Sequence, residues 1–321
     1  MTVTATHRLP GMTLTSHRFE VPLDHTRTDG ERISVFAREV VGTGRERDDL
    51  PWLVFLQGGP GFEASRPPGN ATWLPRALKD YRVLLLDQRG TGMSTPVTTR
   101  TLARFPTPEA QADYLTHFRA DSIVDDAEFI RRELLGPNRR WTALGQSFGG
   151  FCAVHYLSAH PEGLEGAIIT GGLPPLDRPA DDVYRATYRR VAAKNRAYYE
   201  RYPDDIEHVQ AIVRYLQEHP VRLPTGGTLT ARRFQQLGNE FGGSTGFEAI
   251  HYLLEDAFVD GPDGPEPGHH FLAHLEMMQP FETNPVFAIL HEAIYCQGDA
   301  SNWSAHRVRA GYPEFEADPV R

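Results

Sequence analysis

Trp141-Thr142-Ala143-Leu144-Gly145-Gln146-Ser147-Phe148-Gly149-Gly150 is the stretch whose reading decides the fold. The apolar run Trp141 to Leu144 reads as a buried strand, and the segment from Phe151 to His160 reads as a helix. Between them a serine stands on a sharp turn flanked by glycines, the pattern G-x-S-x-G in a strand-to-helix context. The demand is steric. A nucleophilic serine must stand clear of the backbone on a strained turn. Side chains two residues to either side would collide with the neighbouring strand and helix, so Gly145 and Gly149 are needed there. The turn also aims the free N–H groups of the new helix, led by Phe148, at the place where an acyl oxygen becomes negative. Ser147 is therefore the expected catalytic nucleophile.

Working outward, the other strands of the first half are equally short and apolar. Trp52 to Leu56 runs straight into Gln57-Gly58-Gly59-Pro60-Gly61, and Val83 to Leu86 ends in Asp87-Gln88-Arg89-Gly90. Gly166 to Thr170 is a further apolar strand. Ala71 to Lys79 reads as a modest helix, and Ser122 to Leu135 as a longer one with Ser122 as its N-cap. Continuous apolar strands alternating with helices are the mark of a mostly parallel sheet buried on both faces. Ahead of it, His17 to Val21 and Ile33 to Val41 alternate around the turn signal Asp29-Gly30, which predicts an antiparallel hairpin.

After Leu173 the character changes. Pro174-Pro175 breaks the chain and no buried-strand run returns. Stripes at helical spacing follow: Tyr184 to Tyr202, Ile206 to Leu216, Phe247 to Phe258, and a helix opened by Asn284-Pro285. Gly261 to Gly268 reads as a Gly/Pro loop. The expected division is an α/β core over 1–173 and an all-helical cap region over 174–321.

Composition excludes several classes. A net charge of −9 with no Lys/Arg cluster argues against a nucleic-acid partner. No apolar run approaches the ~20 residues of a membrane span, and the first residues lack the apolar centre of a signal peptide. Two cysteines far apart, Cys152 and Cys296, form no disulfide framework and no metal-ligand spacing. A cytoplasmic protein is expected.

The glycine loop at Gln57–Gly61 lacks the Lys-Ser/Thr of a phosphate loop. It suits a second oxyanion donor beside Phe148: the N–H of Gly59, with Gly58 as the rival. Asp87 and Arg89 read as braces of the loops around the site. Fourteen histidines offer many candidate bases, but none follows a buried strand, and all are read as solvated or structural.

Taken in order, Gln57-Gly58-Gly59-Pro60-Gly61, Asp87-Gln88-Arg89-Gly90-Thr91-Gly92-Met93-Ser94 and Gly145-Gln146-Ser147-Phe148-Gly149-Gly150 resemble the proline iminopeptidases, serine peptidases of α/β-hydrolase fold. Gln57 stands where their first motif usually begins with His. The resemblance implies removal of N-terminal proline from peptide substrates, no cofactor, and a helical cap. It also implies a role for Glu292, within His291-Glu292-Ala293-Ile294-Tyr295, in holding the substrate's free amine. An esterase or amidase of the same fold is the alternative, and a binding-only fragment is the reading from another class. In this fold the acid and then the base of a triad follow the serine. Neither is found before Arg321. The last strands of the sheet are therefore expected to be missing, with the triad Asp and His beyond that residue, and the chain alone is expected to be inactive and to self-associate as a homo-oligomer through its uncovered sheet edge.

Overall fold

The computed structural model describes every residue except Thr28, Pro68, Asn70, Ala71, Pro280 and 318–321. Contacts divide the chain into two compact units. The first comprises Met1–Leu176 together with Thr283–Ile294, and the second Asp177–Glu282 together with Tyr295–Arg321. The division after Leu176 falls three residues beyond the expected 1–173 boundary. The return of Thr283–Ile294 to the first unit has no counterpart in the sequence reading.

The first unit is built on a seven-stranded sheet. Its strands are β1 Thr2–Leu9, β2 Met12–Pro22, β3 Arg32–Gly42, β4 Trp52–Leu56, β5 Arg82–Asp87, β6 Trp141–Gln146 and β7 Leu164–Thr170. Their spatial order is β1-β2-β3-β5-β4-β6-β7. The β1–β2, β2–β3 and β3–β5 pairs are antiparallel, whereas β5–β4, β4–β6 and β6–β7 are parallel. Every residue of β4 is buried, as its unbroken apolar run demands. One sheet face carries Phe19, Val35, Val54, Leu84 and Ala143, and the other Leu14, Val40, Phe55, Val83 and Leu85.

The expected hairpin is present, but it is longer than the reading and carries an extra strand. β1 is exposed along nearly its whole length, so no alternation of buried residues marked it in the sequence. The helices of this unit are α1 Leu74–Ala77, α2 Thr99–Leu102, α3 Pro108–Thr116, α4 Ala120–Leu135 and α5 Phe148–Ala159. α1 is shorter than the expected helix, and Ala71 lies outside the described residues. α4 begins earlier than expected: Arg119, not Ser122, holds its N-cap position. Ser122 sits inside the first turn, where its N–H donates to the Asp121 carboxylate at 2.8 Å. A carboxylate at a helix N-terminus satisfies the free N–H groups as a serine cap would. The buried stripe Ile123, Ala127 and Ile130 is as the spacing predicts.

The second unit holds α6 Ala180–Arg201, α7 Asp205–Glu218, α8 Ala231–Gln235, α9 Gly246–Glu255, α10 His269–Met277 and α12 Ser304–Arg309, with α11 Pro285–Leu290 belonging to the first unit. Its core gathers Tyr198, Ile212, Val213, Phe234, Ile250, Leu254 and Phe271. It is helical apart from two short hairpins. β8 Val221–Arg222 pairs with β9 Thr228–Leu229, and β10 Phe258–Gly261 pairs with β11 Gly264–Pro267. The second hairpin replaces the expected Gly/Pro loop. Gly264, at φ +118°, turns the chain, and the flanking prolines sit where the two-stranded ribbon needs no N–H from them. The terminal residues 318–321 lie outside the described residues.

Candidate active site

Ser147 stands between the last residue of β6 and the first of α5, with φ 53° and ψ −122°. A non-glycine residue at positive φ is held there only when its surroundings over-determine it. Those surroundings are visible. Ser147 N–H donates to the Thr170 carbonyl on β7 at 2.9 Å, and the Ser147 carbonyl accepts from Gly150 N–H at 2.8 Å. A Cβ on Gly145 would lie 2.2 Å from the Gly149 carbonyl oxygen, and one on Gly149 would lie 1.9 Å from that of Leu56. Neither position has room for a side chain. The two glycines flanking the serine are thus a packing requirement of the strand-turn-helix crossing, and the serine is left exposed at its top.

Phe148 is the first residue of α5, so its N–H is among the groups that have no acceptor within the helix. The glycine loop after β4 runs against the serine from the other side. A Cβ on Gly58 would meet Ser147 Cβ at 3.0 Å and Ser147 Oγ at 3.6 Å. The structure therefore brings together Ser147, Phe148 and the backbone of Gly58, the rival donor of the sequence reading, while the nearest neighbours of a Cβ on Gly59 are Gly61 and Phe62.

The loop is fastened from below. Gln88, 1% exposed, donates its side-chain amide to the Gln57 carbonyl at 3.0 Å. Thr91 Oγ1 donates in turn to the Gln88 carbonyl at 2.7 Å. Asp87 accepts from Ala64 N–H at 3.2 Å, from Met93 N–H at 2.9 Å and from both terminal nitrogens of Arg66 at 2.8 and 2.5 Å. Arg89 is wholly buried. It forks onto Asp126 at 2.7 and 2.5 Å and donates to the carbonyls of Pro22, Leu23 and His117. Asp87 and Arg89 are braces, as chain order suggested. Gln88 is the brace that sequence reasoning missed, because its partner is 31 positions away.

The segment carrying Glu292 packs on the far side of the same loop. A Cβ on Gly61 would fall 2.5 Å from Phe287 N, and the Phe62 and Phe287 rings lie 5.0 Å apart. Val286 joins the first unit's core, and Arg119 reaches the Ala293 carbonyl at 3.5 Å. Glu292 is 8% exposed in a short turn of 3₁₀ helix, Glu292–Tyr295. Beside it, burial pushes the His291 imidazole below its usual range, and the Glu292 charge opposes that shift. The amine-reading candidate is thus part of the unit that holds the serine, not of the helical unit.

Among the described residues the Ser147 hydroxyl has no hydrogen-bond partner. Histidine–carboxylate pairs there include His17–Glu39, His25–Asp126, His160–Asp125, His208–Asp205, His251–Asp205 and His270–Asp256. None of them bonds to that hydroxyl. Among the same residues no group of three His, Cys, Asp or Glu side chains is placed to hold a metal ion. No helix there is long and apolar enough to cross a membrane.

The alpha/beta hydrolase fold family matches residues 51–213, which carry both glycine motifs and the serine turn. A proline iminopeptidase from Aeromonas sobria is 54% identical over 310 residues, covering 95% of this chain and 71% of that protein. The chain belongs to the proline iminopeptidase family of α/β hydrolases. A second relative of that name, from Aspergillus aculeatus, is 39% identical over 324 residues, covering 96% of this chain and 70% of the other. A solved alpha/beta hydrolase from Novosphingobium aromaticivorans aligns at 15% identity and a TM-score of 0.38 over 93% of this chain and 78% of that one. Membership in the proline iminopeptidase family makes the chain a hydrolase.

Proposed function

We propose that this protein is a serine aminopeptidase that releases N-terminal proline from peptides through an acyl-enzyme on Ser147. The observation that carries the reading is the strained serine at φ 53°, pressed by the Gly58 backbone on one side and backed by the start of α5 on the other. Ser147 Oγ attacks the carbonyl carbon of the N-terminal proline. The oxyanion so formed lies between the N–H of Phe148 and that of Gly59, with Gly58 the rival donor. Donors fixed in place before charge develops are each worth ~3 kcal/mol of transition-state stabilisation. The C–N bond then breaks and the leaving peptide amine carries away the proton that Ser147 Oγ gave up; water adds to the serine ester, its oxygen becoming part of the proline carboxyl group and one of its protons returning to Oγ. Glu292 pairs with the substrate's ammonium, since a buried cation without a counter-charge is very costly. The names of the two relatives support this choice of substrate.

The test is labelling by a fluorophosphonate together with turnover of proline-naphthylamide. In any form of the protein that labels and turns over, both are expected to disappear on Ser147→Ala, while the melting temperature stays near that of the parent. A Ser147→Ala protein that still labels or turns over would remove the assignment.

A further inference from the structure

A second cluster of chemistry-bearing side chains lies on the other flank of the sheet, around the ring of Phe36. Arg18 on β2 faces Phe36 on β3 directly across the pair, and Phe36 faces Asp87 on β5. Arg38 follows Phe36 by two residues, so it stands on the same face of the sheet. Arg66, from the loop after the glycine motif, folds over the same ring. The three guanidinium carbons lie 5.9, 5.2 and 5.6 Å from the Phe36 centroid for Arg18, Arg38 and Arg66.

Three cations about one ring need an anion. A ring face favours a cation by ~0.5–2 kcal/mol, and each further guanidinium repels the ones already there. The one buried carboxylate in the group is Asp87, and it is fully used. It accepts both terminal nitrogens of Arg66 and the N–H groups of Ala64 and Met93. Glu63 is exposed, and its charge acts on Arg66. Arg18 spends one nitrogen on the Met93 carbonyl at 3.0 Å and the Ser34 hydroxyl at 3.4 Å.

Arg38 is the unpaired member. Among the described residues it has no hydrogen bond and no ion pair, and its Nε is buried without an acceptor. Burial first, and then the charge of Arg66, push this guanidinium below its usual range, while Asp87 pulls the other way. A half-buried arginine left in that condition is costly, and its planar fork of donors matches a two-oxygen acceptor. We propose that Arg38, with Arg66 and Arg18 beside it, binds a small oxyanion, a phosphate or carboxylate group. The site is distinct from the catalytic serine. The order β3-β5-β4-β6 sets three strand spacings, about 14 Å, between Arg38's strand and the one that ends at Ser147.

The experiment uses the 321-residue chain. Sodium phosphate and, separately, sodium succinate are titrated into it calorimetrically at constant ionic strength held with chloride. Melting temperatures are followed in parallel. Binding and a rise in melting temperature are expected with at least one of the two anions. Arg38→Met keeps the aliphatic packing on Phe36 and should weaken that binding by roughly 10- to 100-fold, the loss of a charged hydrogen bond. Should Arg38→Met fold poorly, Arg38→Lys and Arg18→Gln serve in its place, each expected to weaken binding while leaving the unliganded melt near the parent's. Tighter phosphate binding assigns the site to a phosphoryl group, and tighter succinate binding to a carboxylate. No binding of either anion by the parent, or equal binding by parent and Arg38→Met, overturns the proposal.

Discussion

The side-chain amide of Gln88 donates to the main-chain carbonyl of Gln57 at 3.0 Å, tying the end of β5 to the first residue of the glycine loop that abuts Ser147. A carbonyl held in one direction fixes the plane of the peptide that follows it, and that peptide supplies the N–H of Gly58. The bond therefore sets how the loop presents its donors to the serine, although Gln88 itself is buried beneath it.

Gln88→Met should accordingly lower kcat on proline-naphthylamide by roughly 10- to 100-fold while leaving KM within a few-fold of the parent. Misaimed oxyanion donors act on the transition state more than on the bound substrate. Steady-state kinetics on the two proteins check this. A rise in KM with kcat intact would mean that the bond serves substrate binding instead.

Gly149→Ala should disrupt the protein more than an ordinary surface change. Its new methyl would lie 1.9 Å from the Leu56 carbonyl oxygen, a backbone atom that cannot swing aside. Overpacking of this kind costs at least about 1–3 kcal/mol. The urea midpoint should fall, and fluorophosphonate labelling should fall with it. An unchanged midpoint would show that β4 and α5 can separate without penalty.

Glu292→Gln should reduce kcat/KM for proline amides by about 1.5–3 kcal/mol, the worth of a charged hydrogen bond, and should barely affect N-blocked esters. Parallel assays on the two substrate types separate amine recognition from support of the fold. Equal losses on both would assign Glu292 to packing.

Acid should weaken the fold through Glu128. Burial alone would raise its pKa, but hydrogen bonds from Arg131, Arg132 and Tyr156 outweigh that and hold it at about 2. The folded value lies below the ordinary 4.5, so the stabilisation is fully present above the unfolded pKa. It is lost as pH falls from about 5 towards 2, and amounts to on the order of 2–3 kcal/mol. Urea unfolding at pH 7 and pH 3 should differ less for Glu128→Gln than for the parent. Identical pH slopes for the two proteins would contradict it.

The strand, the serine turn and the following helix were readable from Trp141 to His160 because what enforces them is local. Gly145 and Gly149 are needed two residues from Ser147 whatever the rest of the chain does, and an unbroken apolar run such as Trp52 to Leu56 belongs in a buried sheet. β1 escaped notice because both its faces are exposed. The expected cap at Ser122 gave way to a start at Arg119, since Asp121 in the first turn meets the same need.

Local sequence thus determined the α/β core and the strained serine turn. Three further matters were decided only by tertiary structure. Gln88 reaches Gln57, and Asp87 reaches Arg66, because β5 lies between β3 and β4. Arg18, Arg38 and Arg66 share one ring because that same order sets β2, β3 and the loop after β4 around Phe36. Glu292, 145 positions after Ser147 in number, belongs to the serine's own compact unit because Val286 finds its burial in that unit's core. The physical reason is the same in each case. Sterics and periodicity act over a few residues and can be read along the chain, whereas the pairing of distant groups depends on strand order and on which surface a returning segment finds to bury.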